Sequence, residues 1–131
     1  MELNDYQKKA MTTCMASCDN FAYMMLNLVG ELGEFASKVA KAVRKETLAI
    51  GFSERDDEAN ESNLVPTGSW FEWDELKSGL RMEAGDILWQ LAGLCHVMGW
   101  DLEDVAIENL GKLEARKKAG TIDGDGDGII R

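Results

Sequence analysis

Proline is all but missing from this chain: Pro66 is the only one. β-Branched residues are sparse beside Ala, Leu, Met, Glu and Lys, so long stretches of good helix formers run uninterrupted and an all-α fold is expected. Histidine is also single, at His96. That excludes a di-iron carboxylate bundle, which needs a Glu-x-x-His from each of two helices. Cysteine is limited to Cys14, Cys18 and Cys95. An odd number with no secretory pattern predicts reduced, buried thiols and a cytoplasmic location, and the spacing fits no common zinc site. Positive charge is short, with 14 Lys and Arg against 24 Asp and Glu, a net charge of −10. No general basic field exists to hold nucleic acid or an anionic membrane, so neither is expected as a partner. Long apolar runs are missing too. The most hydrophobic stretch, FAYMMLNLVG, meets Glu31 and Glu34 at once and is too short to span a bilayer, and MELNDYQKKA has no apolar signal core.

What is present suits one domain over residues 1–131. A composition 45% hydrophobic and 29% charged provides a core and is wrong for a disordered chain. Asn4 and Gln7 resemble a capping box ahead of a first helix from about Asp5 to Ser17. Asp19 or Asn20 can cap a second, from Phe21 to about Arg44. Asp74 can cap a third, from Glu75 to about Met98, closed by Gly99. Asp101 can cap a fourth that ends near Lys117, Lys118 and Gly120. The expected architecture is a four-helix core bundle with a long loop between helices two and three. That connection, ETLAIGFSERDDEANESNLVPTGSWFEW, is acidic in its middle and aromatic at its end. One so long either carries function or is partly unstructured. In the third helix Leu80, Ile87, Leu88, Leu91, Leu94 and Met98 form one stripe, while Met82, Trp89 and Val97 lie off it. Helices apolar nearly all round are buried nearly all round. In a chain this small a second subunit is expected to cover what one bundle cannot, in a homodimer or homotetramer; the alternative is a monomeric bundle covered by its loops.

Acid interrupts these apolar helices. Glu31 and Glu34 break NLVGELGEF, and Glu83 and Asp86 break RMEAGDILW. Each pair is spaced i,i+3, which puts two carboxylates on one helix face with Cβ atoms about 5–6 Å apart. Ionised carboxylates among Leu, Val, Trp and Phe are costly unless something positive compensates, and two facing pairs repel. One Glu-x-x-Glu is commonplace on a solvated helix edge. Two such pairs, beside Gly30, Gly33 and Gly85, point to a hard divalent cation, since Mg²⁺ takes oxygen ligands and keeps waters for a substrate phosphate.

Complementary charge lies on the fourth helix. Asn109 falls within the stripe of Leu102, Val105, Ala106 and Leu113, with Lys112 and Arg116 at i+3 and i+7. Asn can read a phosphate or base edge; Lys and Arg can neutralise phosphate oxygens. Lys38, Lys41 and Arg44 follow Glu34 and could serve similarly, although a solvated basic face has the same pattern. Trp70, Trp73 or Trp89 could stack on a base, Trp89 being equally suited to the core or a subunit contact. DGDGDG at Asp123 to Gly128 imitates the start of an EF-hand loop, but the Glu required at its twelfth position would fall beyond Arg131.

VGELGEF, EAGDILW and ENLGKLEARKKAG, in that order on predicted helices, resemble the MazG-like nucleotide pyrophosphohydrolases of the all-α NTP pyrophosphatase superfamily. The resemblance spans nearly the whole chain. It implies a four-helix core that dimerises or assembles further, with Mg²⁺ (or Mn²⁺ in its place) held by Glu31, Glu34, Glu83 and Asp86, which are also the implied catalytic residues. It implies substrate contacts from Asn109, Lys112 and Arg116, to which Lys38 and Trp89 are added from the residue pattern. The implied reaction converts a nucleoside or deoxynucleoside triphosphate to the monophosphate and pyrophosphate by water attack at the α-phosphorus. A relative acting on phosphoribosyl-ATP, and a non-catalytic nucleotide-binding helical module, are the alternatives. Some members carry an additional Glu just before the first metal Glu, where this chain has Gly30.

Overall fold

The computed structural model describes residues 1–51 and 63–121, and most of these are helical. α1 spans Leu3–Met11, α2 Phe21–Arg44, α3 Trp70–Val97 and α4 Leu102–Ala119. A single 3₁₀ turn, Ala16–Cys18, lies between α1 and α2. The fold class is all-α, as expected. DGDGDG and the acidic middle of the connection lie outside the described residues. The described part of that connection adds a small antiparallel sheet, β1 (Leu48–Ile50) with β2 (Leu64–Pro66), in register Leu48 to Pro66.

Several helix ends differ from the sequence expectation. α1 stops at Met11, short of Ser17, because Thr12 and Thr13 turn their hydroxyls back on the Lys9 and Ala10 carbonyls (both 2.6 Å). Such local side-chain bonds compete with the helix ladder. α3 starts at Trp70, not Glu75. Ser69 caps it: the Glu72 N–H donates to Ser69 Oγ (3.1 Å), and the Ser69 N–H donates to Glu72 Oε1 (2.9 Å). That reciprocal box satisfies two orphan donors at once, which Asp74 alone cannot do. Asp101 stands at the N-cap of α4 but makes no side-chain cap bond. The cap comes from α1, where Gln7 Oε1 accepts the Leu102 N–H (2.9 Å) and Asn4 Oδ1 accepts the Glu103 N–H (3.0 Å). Asn4 and Gln7 are therefore capping residues of α4 and not of their own helix. α1 also begins earlier than Asp5, at Leu3 behind a capping box of Glu2 and Asp5; the remaining limits agree with expectation, with Asn20 Oδ1 accepting the Tyr23 N–H (2.8 Å) and left-handed Gly120 (φ 75°) closing α4.

Contacts group the chain into two compact units: Met1–Met24 with the chain from Leu91 onward, and Met25–Gln90. In the first, Ala92, Cys95 and Leu102 are buried together, with Tyr6 and Val105 packed against them. Gln7, buried there, also donates from Nε2 to the carbonyls of Ala92 (3.3 Å) and Trp100 (3.0 Å). Met24 is fully buried and lies so close to Gly93 that a Cβ there would meet its sulfur.

In the second unit α2 and α3 run antiparallel with a regular register. Asn27 meets Gln90 (Nδ2 to Oε1, 2.9 Å). About three turns on, the stem of Lys38 passes Gly79, where an added Cβ would lie 3.8 Å from Lys38 Cδ. Further still, the field of Lys45 reaches Glu72. Each turn up α2 is matched by a turn down α3, so Glu31 faces Asp86 and Glu34 faces Glu83.

Candidate metal centre

Both helices bring acid to this shared face because i,i+3 spacing keeps each pair on one side. The structure unites three of the four carboxylates. Ligand oxygens of Glu31, Glu83 and Asp86 lie within 4.8 Å of one another, with Glu83 buried, Glu31 half-buried and Asp86 exposed. Burial, and after it the charges of Asp86, Glu34 and Glu83, push the Glu31 carboxyl above the ordinary carboxylate range. The amide of Asn27, whose Nδ2 is 3.5 Å from Glu31 Oε1, works in the opposite direction.

Protein groups satisfy this cluster only in part. Lys38 Nζ is 3.6 Å from Glu83 Oε1. Glu31 Oε2 and Glu83 Oε2 are buried and have no hydrogen-bond partner among the described residues. Buried carboxylate oxygens in that condition cost several kcal/mol unless a cation takes them up. The donors are all hard oxygens, which suit Mg²⁺ or Mn²⁺ and disfavour metals that seek sulfur or imidazole. The residues therefore fit a hard divalent ion.

Glu34 lies outside the three-carboxylate group. It lines a cavity of about 200 Å³ with Ser37, Lys38, Lys41 and Glu83. Lys38 and Lys41 also border a larger cavity of about 320 Å³, whose walls include Lys45, Thr47, Glu72 and Leu76. Trp89 is half-buried on α3. Trp70 is exposed and meets Phe71 edge-on, with ring centroids 6.0 Å apart, while Lys77 Nζ sits 5.3 Å from the Trp73 ring centroid. Asn109, Lys112 and Arg116 lie on α4, in the other unit, the first two exposed and Arg116 half-buried. Sequence reasoning missed Asn27 and Gln90. The available signal was two amides, each one turn outside an acidic pair, on otherwise apolar helix faces.

Residues 20–121 match the family described as the MazG nucleotide pyrophosphohydrolase domain. The chain is also 32% identical, over 134 aligned residues, to the Gene 37 protein of Mycobacterium phage L5, with 97% of this chain and 98% of that protein covered. The name of that relative describes no activity, and no solved structure matches. The family match takes in all four carboxylates and both helices that carry them, and the chain belongs to the MazG nucleotide pyrophosphohydrolase family.

Proposed function

We propose that the protein hydrolyses a nucleoside or deoxynucleoside triphosphate to the monophosphate and pyrophosphate. The observation that carries this reading is the meeting of Glu31, Glu83 and Asp86, two of them with a buried, unpartnered oxygen. Together with Glu34 they would hold Mg²⁺, or Mn²⁺ in its place. An ion bound there supplies charge that orients the triphosphate and lowers the pKa of the attacking water.

The remaining work falls to the chain's own side chains. Lys38 reaches from Glu83 toward the cavity it shares with Glu34 and Lys41, and its ammonium is suited to phosphate oxygens. Glu34 is exposed at the edge of the cluster; one of its oxygens would complete the ligand set and the other would take the water's proton. The water oxygen bonds to the α-phosphorus as the α–β bridging P–O bond breaks, and that electron pair leaves with pyrophosphate. Asn109, Lys112 and Arg116 are the proposed contacts on α4, and Trp89 the proposed stacking partner for the base. No covalent enzyme intermediate is needed.

Assembly belongs to the same reading. On α2, Met25, Leu26, Val29 and Leu32 are exposed on the side away from the acid-bearing face, and Leu26 is 73% exposed. A stripe of that kind on a helix is commonly covered by another chain. We assign it to a second copy, in a homodimer or homotetramer, and light scattering at micromolar concentration tests the assignment. The reaction is tested with a panel of triphosphates and Mg²⁺ in ¹⁸O-labelled water. Label should enter the monophosphate. Orthophosphate as first product, or label confined to pyrophosphate, overturns the proposal.

A further inference from the structure

We infer that Asn27 and Gln90 form a positioning pair that fixes Glu31 opposite Asp86 and thereby sets the affinity of the carboxylate cluster for a divalent cation. The inference rests on reading that cluster as a metal centre.

Asn27 stands one turn before Glu31 on α2, and Gln90 one turn after Asp86 on α3. On an antiparallel face the amide pair and the carboxylate pair are therefore neighbouring rungs. Gln90 is 1% exposed and Asn27 half-buried, beside the carboxylate rungs of the same face. Two leucines would fill such a rung without the cost of burying amides. A leucine pair, however, tolerates sliding and rotation. The Asn27 Nδ2 to Gln90 Oε1 bond, at 2.9 Å, forms at one axial offset only. A slip of a single residue moves a helix about 1.5 Å along and about 100° around its axis, enough to break the bond. Fixing register is the best-attested use of a buried polar pair.

Asn27 also acts directly on the cluster. Its Nδ2 carries two hydrogens, and besides Gln90 it reaches Glu31 Oε1 at 3.5 Å. This engages one oxygen of Glu31 and leaves Oε2, buried and unpartnered, as the oxygen free to ligate. Without the pair, three mutually repelling carboxylates would spread into other rotamers, and an arriving ion would have to gather them again. Neither amide is among the proposed substrate contacts. Both are positioning residues, of the kind whose loss weakens a metal site about 10–100-fold.

The test is a Mn²⁺ titration without nucleotide, following the spin-resonance signal of the free ion. The proteins compared are the parent, the double variant Asn27→Leu/Gln90→Leu, and the exchanged pair Asn27→Gln/Gln90→Asn. The leucine pair should keep its helical circular dichroism and melt at or above the parent temperature, yet bind Mn²⁺ about 10–100-fold more weakly. Its half-saturating Mn²⁺ in turnover should rise by the same factor while kcat at saturating ion is largely retained. The exchanged pair should recover most of the lost affinity. If the leucine pair does not fold, Asn27→Ser, at a half-buried position, carries the same measurement. A leucine pair that binds Mn²⁺ as tightly as the parent overturns the inference and leaves the metal centre standing. A parent that binds no Mn²⁺ overturns both.

Discussion

Lys38 Nζ lies 3.6 Å from one oxygen of Glu83, while the other oxygen of that carboxylate is buried without a hydrogen-bond partner. Among the described residues, the cluster therefore has its protein-borne cation on the Lys38 side. Lys38 itself is nearly half exposed, so its ion pair with Glu83 contributes at most about 1 kcal/mol to stability. Its larger role should lie with the substrate. Lys38→Met is expected to leave the melting temperature almost unchanged and to raise KM for the triphosphate about ten-fold or more, because a charge-assisted bond is worth roughly 1.5–3 kcal/mol. Steady-state kinetics beside a thermal melt check this; a large fall in melting temperature with KM unmoved would reverse the assignment.

Removing charge from the cluster should separate folding from function. Glu31→Gln or Asp86→Asn should lower turnover at least about 10³-fold, the equivalent of losing several kcal/mol of charge stabilisation. Both should keep the helical spectrum, and the metal-free protein should become more stable as repulsion is relieved. The sign for Glu31 follows from its raised carboxyl. Folding favours the protonated form, so its contribution is complete below the unfolded value and is lost as pH rises through the folded one. The stability advantage of Glu31→Gln over the parent, measured with a chelator present, should therefore close in acid and widen toward neutral pH.

The first turn of α3 titrates in the opposite sense. Glu72 accepts from both the Ser69 N–H and the Ser69 hydroxyl, and these bonds hold its carboxyl below the ordinary range. Its contribution is present above the unfolded value and is lost as pH falls through the depressed folded one. Ser69→Ala should cost about 1 kcal/mol at neutral pH. Repeating the denaturation at acid pH should show a smaller deficit, because Glu72 is by then protonated in both proteins. A deficit independent of pH would mean the box contributes little.

Gln7 uses both ends of its amide in a buried place. Gln7→Met keeps the volume and removes three bonds, leaving the Leu102 N–H among those without a partner. The expected loss is about 2–4 kcal/mol by chemical denaturation, since each stranded buried group costs roughly 1–3 kcal/mol. A loss near zero would show that water replaces the amide there.

Much of this was readable from residue order, and the rest fails for identifiable reasons. Glu31, Glu83 and Asp86 announce themselves because charge at i,i+3 on an apolar helix has few meanings, and the start of α2 after Asn20 and the end of α4 at Gly120 follow from local cap chemistry. The first turn of α3 was misread because Asp74 and Ser69 are both good caps, and only the partner three residues on decides between them. The small sheet escaped because Leu48–Ile50 and Leu64–Pro66 are too short to show a period. Asn27 and Gln90 escaped for a different reason. An amide on a helix does not say which distant residue it will meet, and their pairing exists only once α2 and α3 lie side by side.

The cap on α4 has a consequence for how the chain is made. Gln7 and Leu102 are 95 positions apart, and Asn4 and Glu103 are 99. At a synthesis rate of roughly 5–20 residues per second, Gln7 is added to the chain roughly 5–20 s before Leu102. The start of α4, the helix that carries Asn109, Lys112 and Arg116, therefore has its cap waiting in a segment made well before it. A nascent protein that loses α1 to proteolysis during that interval would still acquire Glu31, Glu34, Glu83 and Asp86, yet α4 would lack the caps from Asn4 and Gln7.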